Sequence, residues 1–338
     1  APSGRVQLVP RAVVAIMLLV LGVAGAQLAT GLGRVTGDRR GRRGRQQQMQ
    51  FIFLGTGCPV VSLERFGPAH LVQHQGRSLL VDCGSGVTQR LLAAGCPGRD
   101  LDALLLTHLH SDHLVDLYQL IVSSWHQGRD RPQRIFGPPG TLRYVEGLMA
   151  LWRQELDQRI AHEKRPSTAA LEIEAIEISD GWKLQLGELH LEAFAVDHRP
   201  VCHAVGFSFQ AAGRRLILSG DTRPCANLEA AAQGADLLVN EVFIHRDMPV
   251  VPGVRSAETV ENVAAYHTLS SEVGKLARRA NVRCLALTHF VPPHCDRAAL
   301  LAEVKADFEG PVILGEALMR LDLANGSLIY NQAHIALP

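Results

Sequence analysis

The segment that most constrains this chain is an apolar run followed at once by four potential metal ligands. Residues 103–106 read Ala-Leu-Leu-Leu, which predicts a fully buried strand that ends at Thr107. The ligands that follow are His108, His110, Asp112 and His113. Imidazole and carboxylate groups together suit zinc, manganese or iron. Because a buried strand delivers all four groups to one place, we expect a metal site rather than a polar loop of structural histidines.

The spacing of these residues predicts two metal ions rather than one. In an extended loop, His108 and His110 project to the same side of the backbone. Asp112 and His113 lie at the predicted turn into the next helix, where they can face a second ion nearby. One ion would need only two of these groups, so four in such a short segment indicate a pair.

Polar residues also follow buried strands elsewhere in the chain. The predicted strands end at Asp82, His108, His198, Asp221, Glu241 and His289. In layered α/β folds, functional sites gather where strands end, so we expect these residues to converge. His198 and His289 are further candidate ligands, and Asp221 is the candidate bridge between the metals. Taken alone, His198 is more typical of a structural histidine than of a ligand.

Asp82 has two possible roles. It ends the apolar run 79–81, so its carboxylate can orient a ligand histidine from behind. It can also cap the helix predicted from Val87 to Ala94. The two roles are compatible, and both remain open at this point.

The composition of the 338 residues favours a substantial buried core, because 47% are hydrophobic and 20% are charged. A net charge of +1 gives no overall attraction to nucleic acid or membrane. Seven cysteines are scattered without a C-x-x-C pair, and an odd number cannot all pair internally. We expect most of them to be small buried side chains, with one or two disulfides if the protein is exported.

The N-terminal part is predicted to lie outside the catalytic domain. Residues 1–26 are typical of a signal peptide or a membrane anchor, because arginines precede an apolar run and a small-x-small site follows it. Residues 27–48 contain six arginines and predict a flexible basic linker. The folded domain that carries the predicted metal site is predicted over 49–338. The protein is then periplasmic or secreted, touching membrane only through this segment, or cytoplasmic if Met49 is the true start.

The segment Thr107-His108-Leu109-His110-Ser111-Asp112-His113 matches the H-x-H-x-D-H signature of the metallo-β-lactamase superfamily. The chain resembles that superfamily over roughly residues 50–330, with Asp82, His198, Asp221 and His289 in the order of its remaining motifs. The resemblance implies an α/β fold, a four-layer αβ/βα sandwich. Its two sheets face each other, its helices lie outside, and its metals lie at one edge.

Within the superfamily, the chain is similar to the ribonuclease Z-like group through residues 53–57, 82–86 and 287–290. It departs from that group where His-Glu-Ala-Thr becomes Asn240-Glu241-Val242-Phe243 and where His-Ser-Thr becomes His267-Thr268-Leu269. It also lacks the long Gly-Pro-rich arm that grips tRNA in that group. The closer resemblance is to the arylsulfatase-type branch, through residues 65–69, 137–141, 219–224 and 266–268.

The resemblance also implies roles for the site residues. One metal is bound by His108, His110 and His198, the other by Asp112, His113 and His289, and Asp221 bridges them. The expected cofactors are two Zn²⁺ ions per chain, with Mn²⁺ or Fe²⁺ as alternatives. A hydroxide held between the metals is the implied nucleophile, and His267, oriented by Glu241, is the implied proton donor. Asp112, His267 and Glu241 are therefore the implied catalytic residues.

These features predict an arylsulfatase-like hydrolase of sulfate esters that is promiscuous toward phosphodiesters, since both esters carry one negative charge. The alternatives are a phosphodiesterase or ribonuclease Z-type nuclease, a lactone or carboxylic ester hydrolase, and a non-enzymatic metal-binding sensor. The expected partner is a small anionic ester, and nucleic acid is less favoured. The resemblance alone implies a homodimer.

Overall fold

The computed structural model describes residues 48–337. The predicted signal peptide or anchor and nearly all of the predicted basic linker lie outside the described residues. The domain boundaries and the cellular location inferred from them therefore stay predictions. Within residues 48–337, no helix is long and apolar enough to span a bilayer.

Two β-sheets form the centre of the fold. The first sheet contains β1 (Gln50–Gly55), β2 (Ala69–His74), β3 (Arg77–Val81), β4 (Ala103–Leu105), β5 (Gln133–Gly137), β6 (Ile173–Glu177), β14 (Arg320–Asp322), β15 (Ser327–Tyr330) and β16 (Ala333–Ala336). Their order is β16-β15-β14-β1-β2-β3-β4-β5-β6. Strands β3 to β6 run parallel, so their carboxyl ends open at the same edge of the sheet.

The second sheet faces the first. It contains β7 (Lys183–Leu186), β8 (Leu189–Ala195), β9 (Val205–Ala211), β10 (Arg214–Leu218), β11 (Leu237–Phe243), β12 (Leu285–Val291) and β13 (Val312–Leu314). Their order is β13-β12-β11-β10-β9-β8-β7. Strands β10 to β13 are parallel, which gives this sheet a common carboxyl edge as well.

Helices cover the outer faces of both sheets. They are α1 (Val87–Ala93), α2 (Leu117–His126), α3 (Thr141–Leu151), α4 (Arg153–Glu163), α5 (Ala226–Ala232), α6 (Ala257–Ala264), α7 (Ser270–Arg279) and α8 (Arg297–Lys305). Helices α1 to α4 pack on the first sheet, and α5, α7 and α8 pack on the second.

Alternation along the strands builds the layers. In β1, Phe51 and Phe53 point into the core between the two sheets, whereas Ile52 and Leu54 point toward the helices. This is the two-residue period of a strand, and both faces are apolar because both are covered. In β10, Ile217 likewise faces the helices while its neighbours face the other sheet. The result is helices, sheet, sheet and helices, which confirms the predicted four-layer αβ/βα sandwich.

Three elements differ from the sequence-based prediction. The helical spacing of apolar residues between Leu142 and Trp152 predicts a single helix from Thr141 to about Lys164. That prediction is wrong, because the chain breaks at Trp152 into α3 and α4. The break places the Trp152 ring in a stack on Tyr118 of α2, with centroids 4.3 Å apart. The sequence also predicts a loop over 243–263, but this segment contains most of α6. Ser256 caps that helix, and its hydroxyl accepts from the backbone N–H of Thr259. The hairpin of β15 and β16 was not predicted.

The seven cysteines, all within the described residues, are free thiols. Four of them are buried: Cys58, Cys83, Cys96 and Cys284. The prediction of small buried side chains therefore holds for most of them, and the optional disulfides are absent from the described residues.

The inter-sheet core makes a testable contribution to stability. Phe207 of β9 is fully buried between the sheets. Replacing it by alanine should lower the free energy of unfolding by about 3–5 kcal/mol, because apolar contacts are lost and a cavity forms. Urea unfolding at fixed metal concentration measures this change. The matched control is Leu63→Ala, which removes a side chain that is 96% exposed and should cost less than about 0.5 kcal/mol. Equal losses in the two variants would contradict this packing.

Candidate metal centre

Loops at the carboxyl edges of both sheets bring the candidate ligands together. His108 and His110 lie in the extended segment after β4, and Ser111–His113 forms a single 3-10 turn before α2. His198 follows β8, and Asp221 follows β10. The two sheets face each other, so segments that are more than a hundred residues apart in sequence meet at one edge.

The candidate ligand atoms form three overlapping groups. In each group, the atoms lie within 4.8 Å of one another. The first group is His108, His110, His198 and Asp221, the second is Asp112, His113 and His289, and the third is Asp221, His267 and His289. The resemblance implies the histidines of the first group and all of the second as ligands, whereas it implies that His267 is a proton donor.

Asp221 lies between the first group and the second. Its Oδ2 is 3.4 Å from His113 Nε2 and 3.1 Å from His289 Nε2. The same oxygen is 3.9 Å from His108 Nε2 in the other group. One carboxylate oxygen thus faces nitrogen atoms from both groups, which is the position of a bridging ligand.

The donor set fits divalent metal ions. Within the described residues, His108 Nε2 and His113 Nε2 are buried without a hydrogen-bond partner. Leaving such a group unpaired costs about 1–3 kcal/mol, and a metal ion would satisfy both nitrogens. Imidazole nitrogens with a few carboxylate oxygens are the ligands that zinc takes, and manganese or iron also suit them.

Asp82 holds the ring of His113 from behind. Its Oδ2 is 2.8 Å from His113 Nδ1, and its Oδ1 accepts from the backbone N–H of Thr107 at 2.9 Å. The hydroxyl of Thr107 in turn lies 3.0 Å from His108 Nδ1. The alternative role of Asp82 as a helix cap is wrong, because α1 begins after Gly86 with no side-chain cap.

A backbone carbonyl orients His198. Its Nδ1 donates to the Tyr266 carbonyl oxygen at 2.9 Å, so the lone pair on Nε2 is free to face the site. That Nε2 lies 3.3 Å from Nδ1 of His110. Sequence reasoning missed the contribution of Tyr266, because a carbonyl carries no residue-specific signal.

Gly84 allows the ligand loop to approach the first sheet. A Cβ at this position would lie 2.6 Å from the carbonyl oxygen of Asp112 and 2.5 Å from the backbone carbon of Gly67. Both contacts are with backbone atoms that cannot turn aside. Any other residue here would push the loop carrying Asp112 away from the site.

Glu241 and His289 lie inside strands rather than at strand ends, so that part of the prediction is wrong. Strand β11 continues to Phe243, and β12 continues to Val291. The register between the two strands shifts after Glu241, and His289 has a left-handed φ of 44°. A bulge of this kind redirects a side chain without ending the strand. The apolar residues that follow each position are the signal that the strands continue.

His267 and Glu241 form a buried pair beside the ligands. Nδ1 of His267 is 2.9 Å from Oε1 of Glu241. The same oxygen accepts from the backbone N–H groups of Thr222 at 3.1 Å and Thr268 at 3.0 Å. The His267 ring is stacked 5.6 Å from that of His289. The structure therefore brings together every predicted site residue, including Asp82, at this edge.

Burial and charge set the protonation of the ligands. Burial lowers the pKa of His198 to about 4 and that of His108 well below 6.5. These rings are therefore neutral at pH 7, as a metal ligand must be. Burial also opposes protonation of His113, but the carboxylates of Asp221 and Asp82 outweigh it and raise its pKa well above 6.5. The carboxylates thus favour a positive charge here, which a metal ion can supply.

Cationic side chains lie at the rim. The carboxylate of Asp197 accepts from Arg199 Nε at 2.8 Å and from Arg223 Nε at 2.9 Å. These hydrogen bonds hold the pKa of Asp197 well below its usual range. The pair ties the loop of His198 to the loop of Asp221, and Arg199 remains 70% exposed. Sequence reasoning did not single out these residues, although each lies within two positions of a predicted ligand.

Comparison with known proteins agrees with this geometry. The family model "Anti-Pycsar protein Apyc1" matches residues 49–250. Ribonuclease Z of Mycobacterium sp. (strain KMS) is 37% identical over 282 residues, which cover 82% of this chain and 97% of that protein. Among solved structures, YhfI from Bacillus subtilis, a metallo-β-lactamase-fold protein, aligns with a TM-score of 0.63 at 21% identity, covering 81% of this chain and 98% of its own.

A second solved structure shows the same fold. The short form of human tRNase Z aligns with a TM-score of 0.60 at 21% identity, covering 81% of this chain and 99% of its own. The family model covers more than half of the chain, and the curated relative is matched over nearly its whole length. The chain belongs to the Anti-Pycsar protein Apyc1 family and, with its ribonuclease Z relatives, to the metal-dependent ester hydrolases of the metallo-β-lactamase fold.

Proposed function

We propose that this protein hydrolyses phosphodiester bonds at a dinuclear metal centre, and that RNA is the first macromolecular substrate to test. The observation that carries the proposal is the pair of ligand groups that share Asp221. It occurs in a chain that is 37% identical to a protein named ribonuclease Z. Metal ions held by these residues would supply positive charge that neutralises a bound phosphodiester.

In this proposal, His108, His110 and His198 bind one metal, and Asp112, His113 and His289 bind the other. Asp221 contributes to both. Zinc is the expected metal, with manganese or iron as alternatives. When bound, two such ions lower the pKa of water toward about 7 and neutralise charge on the ester oxygens.

The protein's own residues handle the proton. Oε1 of Glu241 lies 2.9 Å from Nδ1 of His267, so Nε2 is the ring nitrogen that can donate to a leaving oxygen when both ring nitrogens carry a proton. Burial and the nearby Asp221 carboxylate raise the pKa of Glu241, and burial lowers that of His267. Ligand atoms of Asp221 and His289 lie within 4.8 Å of a ring nitrogen of His267, so the proposed donor is beside the ligands. Asp112, the third proposed catalytic residue, has its Oδ2 3.3 Å from His289 Nε2.

The sequence-based preference for sulfate esters has no support among the relatives, whose names are those of ribonucleases. Sulfate and phosphodiester remain competitors for the same site because each carries one negative charge. Lactone hydrolysis and a non-enzymatic metal sensor are the other outcomes of the test. A homodimer remains a prediction.

The substrate preference is directly measurable. The metal-loaded chain should hydrolyse bis(4-nitrophenyl) phosphate with a kcat/KM more than about tenfold above that for 4-nitrophenyl sulfate, which is about 1.4 kcal/mol of transition-state preference. RNA with a 3′ extension then tests whether the diester of a nucleic acid is accepted. A tenfold preference for the sulfate would contradict the proposal and favour arylsulfatase activity instead.

The control for that measurement is a pair of aspartate variants. Asp221→Ala should abolish hydrolysis, because it removes the shared ligand. Asp236→Ala removes an aspartate that is paired with Arg214 away from the site, and it should keep the activity. Loss in both variants would show general damage rather than loss of the centre.

Removing the partner of His113 should weaken metal binding. Asp82→Asn removes the charge that orients the ring, and such changes typically lower metal affinity about 10–100-fold. Metal content after dialysis against a series of chelator concentrations measures the change. Asp102→Asn is a suitable control, because the Asp102 carboxylate also accepts a backbone hydrogen bond, from Ser78 of β3, but lies away from the ligands. Unchanged affinity in Asp82→Asn contradicts the proposed role.

The role of His267 predicts a dependence on the leaving group. His267→Ala should slow diesters with poor leaving groups by about 10²–10⁴-fold, the range for general acid catalysis, and affect nitrophenyl esters much less. Metal content is measured on the same sample to show that the ligands are intact. An equal loss for all leaving groups would remove the donor role.

A further inference from the structure

Most of the proposed histidine ligands have a protein partner on the nitrogen that does not face the metals. His113 has Asp82, His198 has the Tyr266 carbonyl, and His108 has the Thr107 hydroxyl. His289 differs. Its Nδ1 is buried and has no hydrogen-bond partner among the described residues.

This difference needs an explanation, because a metal-binding histidine almost always donates its second ring N–H to an acceptor. The need is greater for His289, since it lies at the bulge with a left-handed φ of 44° and its ring orientation is not set by regular strand geometry.

A small cavity lies beside this ring. It has a volume of about 10 Å³. Its wall includes His70, Glu241, Thr288 and His289, together with the proposed ligands His113 and Asp221. Three other buried atoms of residues in this wall lack hydrogen-bond partners within the described residues: His113 Nε2, which faces Asp221, and His70 Nδ1 and Glu241 Oε2, which have no proposed metal to bind. A polar cavity of about 10–15 Å³ with two to four polar partners is the kind that holds one ordered water.

His70 has no role in the proposed chemistry, yet it is polar and buried between the sheets. Its ring packs against Phe51 and Phe53 at centroid distances of 5.1 and 5.6 Å. Its Nε2 lies 3.3 Å from the hydroxyl of Thr288, the residue before His289. An apolar side chain would fill this position at a lower desolvation cost. The two ring nitrogens of His70 are therefore expected to have hydrogen-bond partners.

We propose that a single buried water in this cavity joins His289, His70 and Glu241, and that His70 is thereby a positioning residue for His289. Nδ1–H of His289 donates to the water, and the water donates to His70 Nδ1 and Glu241 Oε2. Nε2–H of His70 then donates to the Thr288 hydroxyl. The three bonds to the water are the number that buried waters usually make. The inference rests on the metal centre of the proposed function.

The test uses three variants of His70 in the full chain. His70→Asn keeps a polar atom near the place of Nδ1, which faces the cavity. His70→Gln keeps one near the place of Nε2, which faces Thr288. His70→Leu keeps neither. Each protein is loaded with two Zn²⁺ ions, and the release of each ion to a colorimetric chelator is followed over time.

The His70→Leu and His70→Gln variants should release one of the two ions about 10–100-fold faster than the unchanged protein. This is the range seen when a metal ligand loses its hydrogen-bond partner. Asn should behave like the unchanged protein. Unchanged release in all three variants would overturn the proposal. So would fast release in Asn, or normal release in Gln, because either result assigns the effect to Thr288 or to ring shape rather than to the water.

A second measurement stands if a variant fails to fold. A high-resolution crystal structure of the unchanged metal-loaded protein should show one ordered water within about 3.2 Å of His289 Nδ1, His70 Nδ1 and Glu241 Oε2. An empty cavity, or a water that does not contact His70, would overturn the proposal. Neither measurement uses a substrate. Both can therefore test the role of His70 even if the phosphodiesterase assay fails.

Discussion

The site depends on one buried carboxylate. Asp221 is only 3% exposed, and it is surrounded by the rings of His289, His113 and His108. Burial alone would raise the pKa of Asp221, but the neighbouring rings hold it well below its usual range. A charge buried in this way is stable only when positive charge lies beside it. Metal ions on both sides would supply that charge while leaving the imidazoles neutral, so the carboxylate and the proposed metals require each other.

The fold places the Asp221 carboxylate where both sheets contribute side chains around it. Each sheet has a block of parallel strands, and the carboxyl edges of the two blocks meet at the site. The apolar core between the sheets fixes their separation and therefore the distances between ligands from different sheets. Glu241 contacts two parts of this edge, because its Oε1 accepts from His267 and its side chain also lines the cavity beside His289.

Much of the site could be predicted from the sequence because metal ligands are chemically specific and their spacing is local. The segment from His108 to His113 gives the ligand types, and the apolar strand before it gives their burial. The sandwich followed from the resemblance alone. Other features depend on tertiary contacts. The break at Trp152 lets its ring stack on Tyr118. Tyr118 belongs to another helix, so the apolar spacing within 141–164 does not predict this contact. The bulge at His289 arises from pairing between β11 and β12, which are distant in sequence. A prediction made from one strand alone therefore places the end of that strand too early.

The central claim is that both ligand groups act together on a phosphodiester. The most direct test titrates Zn²⁺ into the metal-free chain and follows bound metal and hydrolysis of bis(4-nitrophenyl) phosphate on the same samples. Because Asp221 is shared by both ligand groups, we expect little hydrolysis until the second equivalent of Zn²⁺ binds, and full activity at two ions per chain. Full activity at one ion per chain, or two bound ions without hydrolysis of the diester, would contradict the claim.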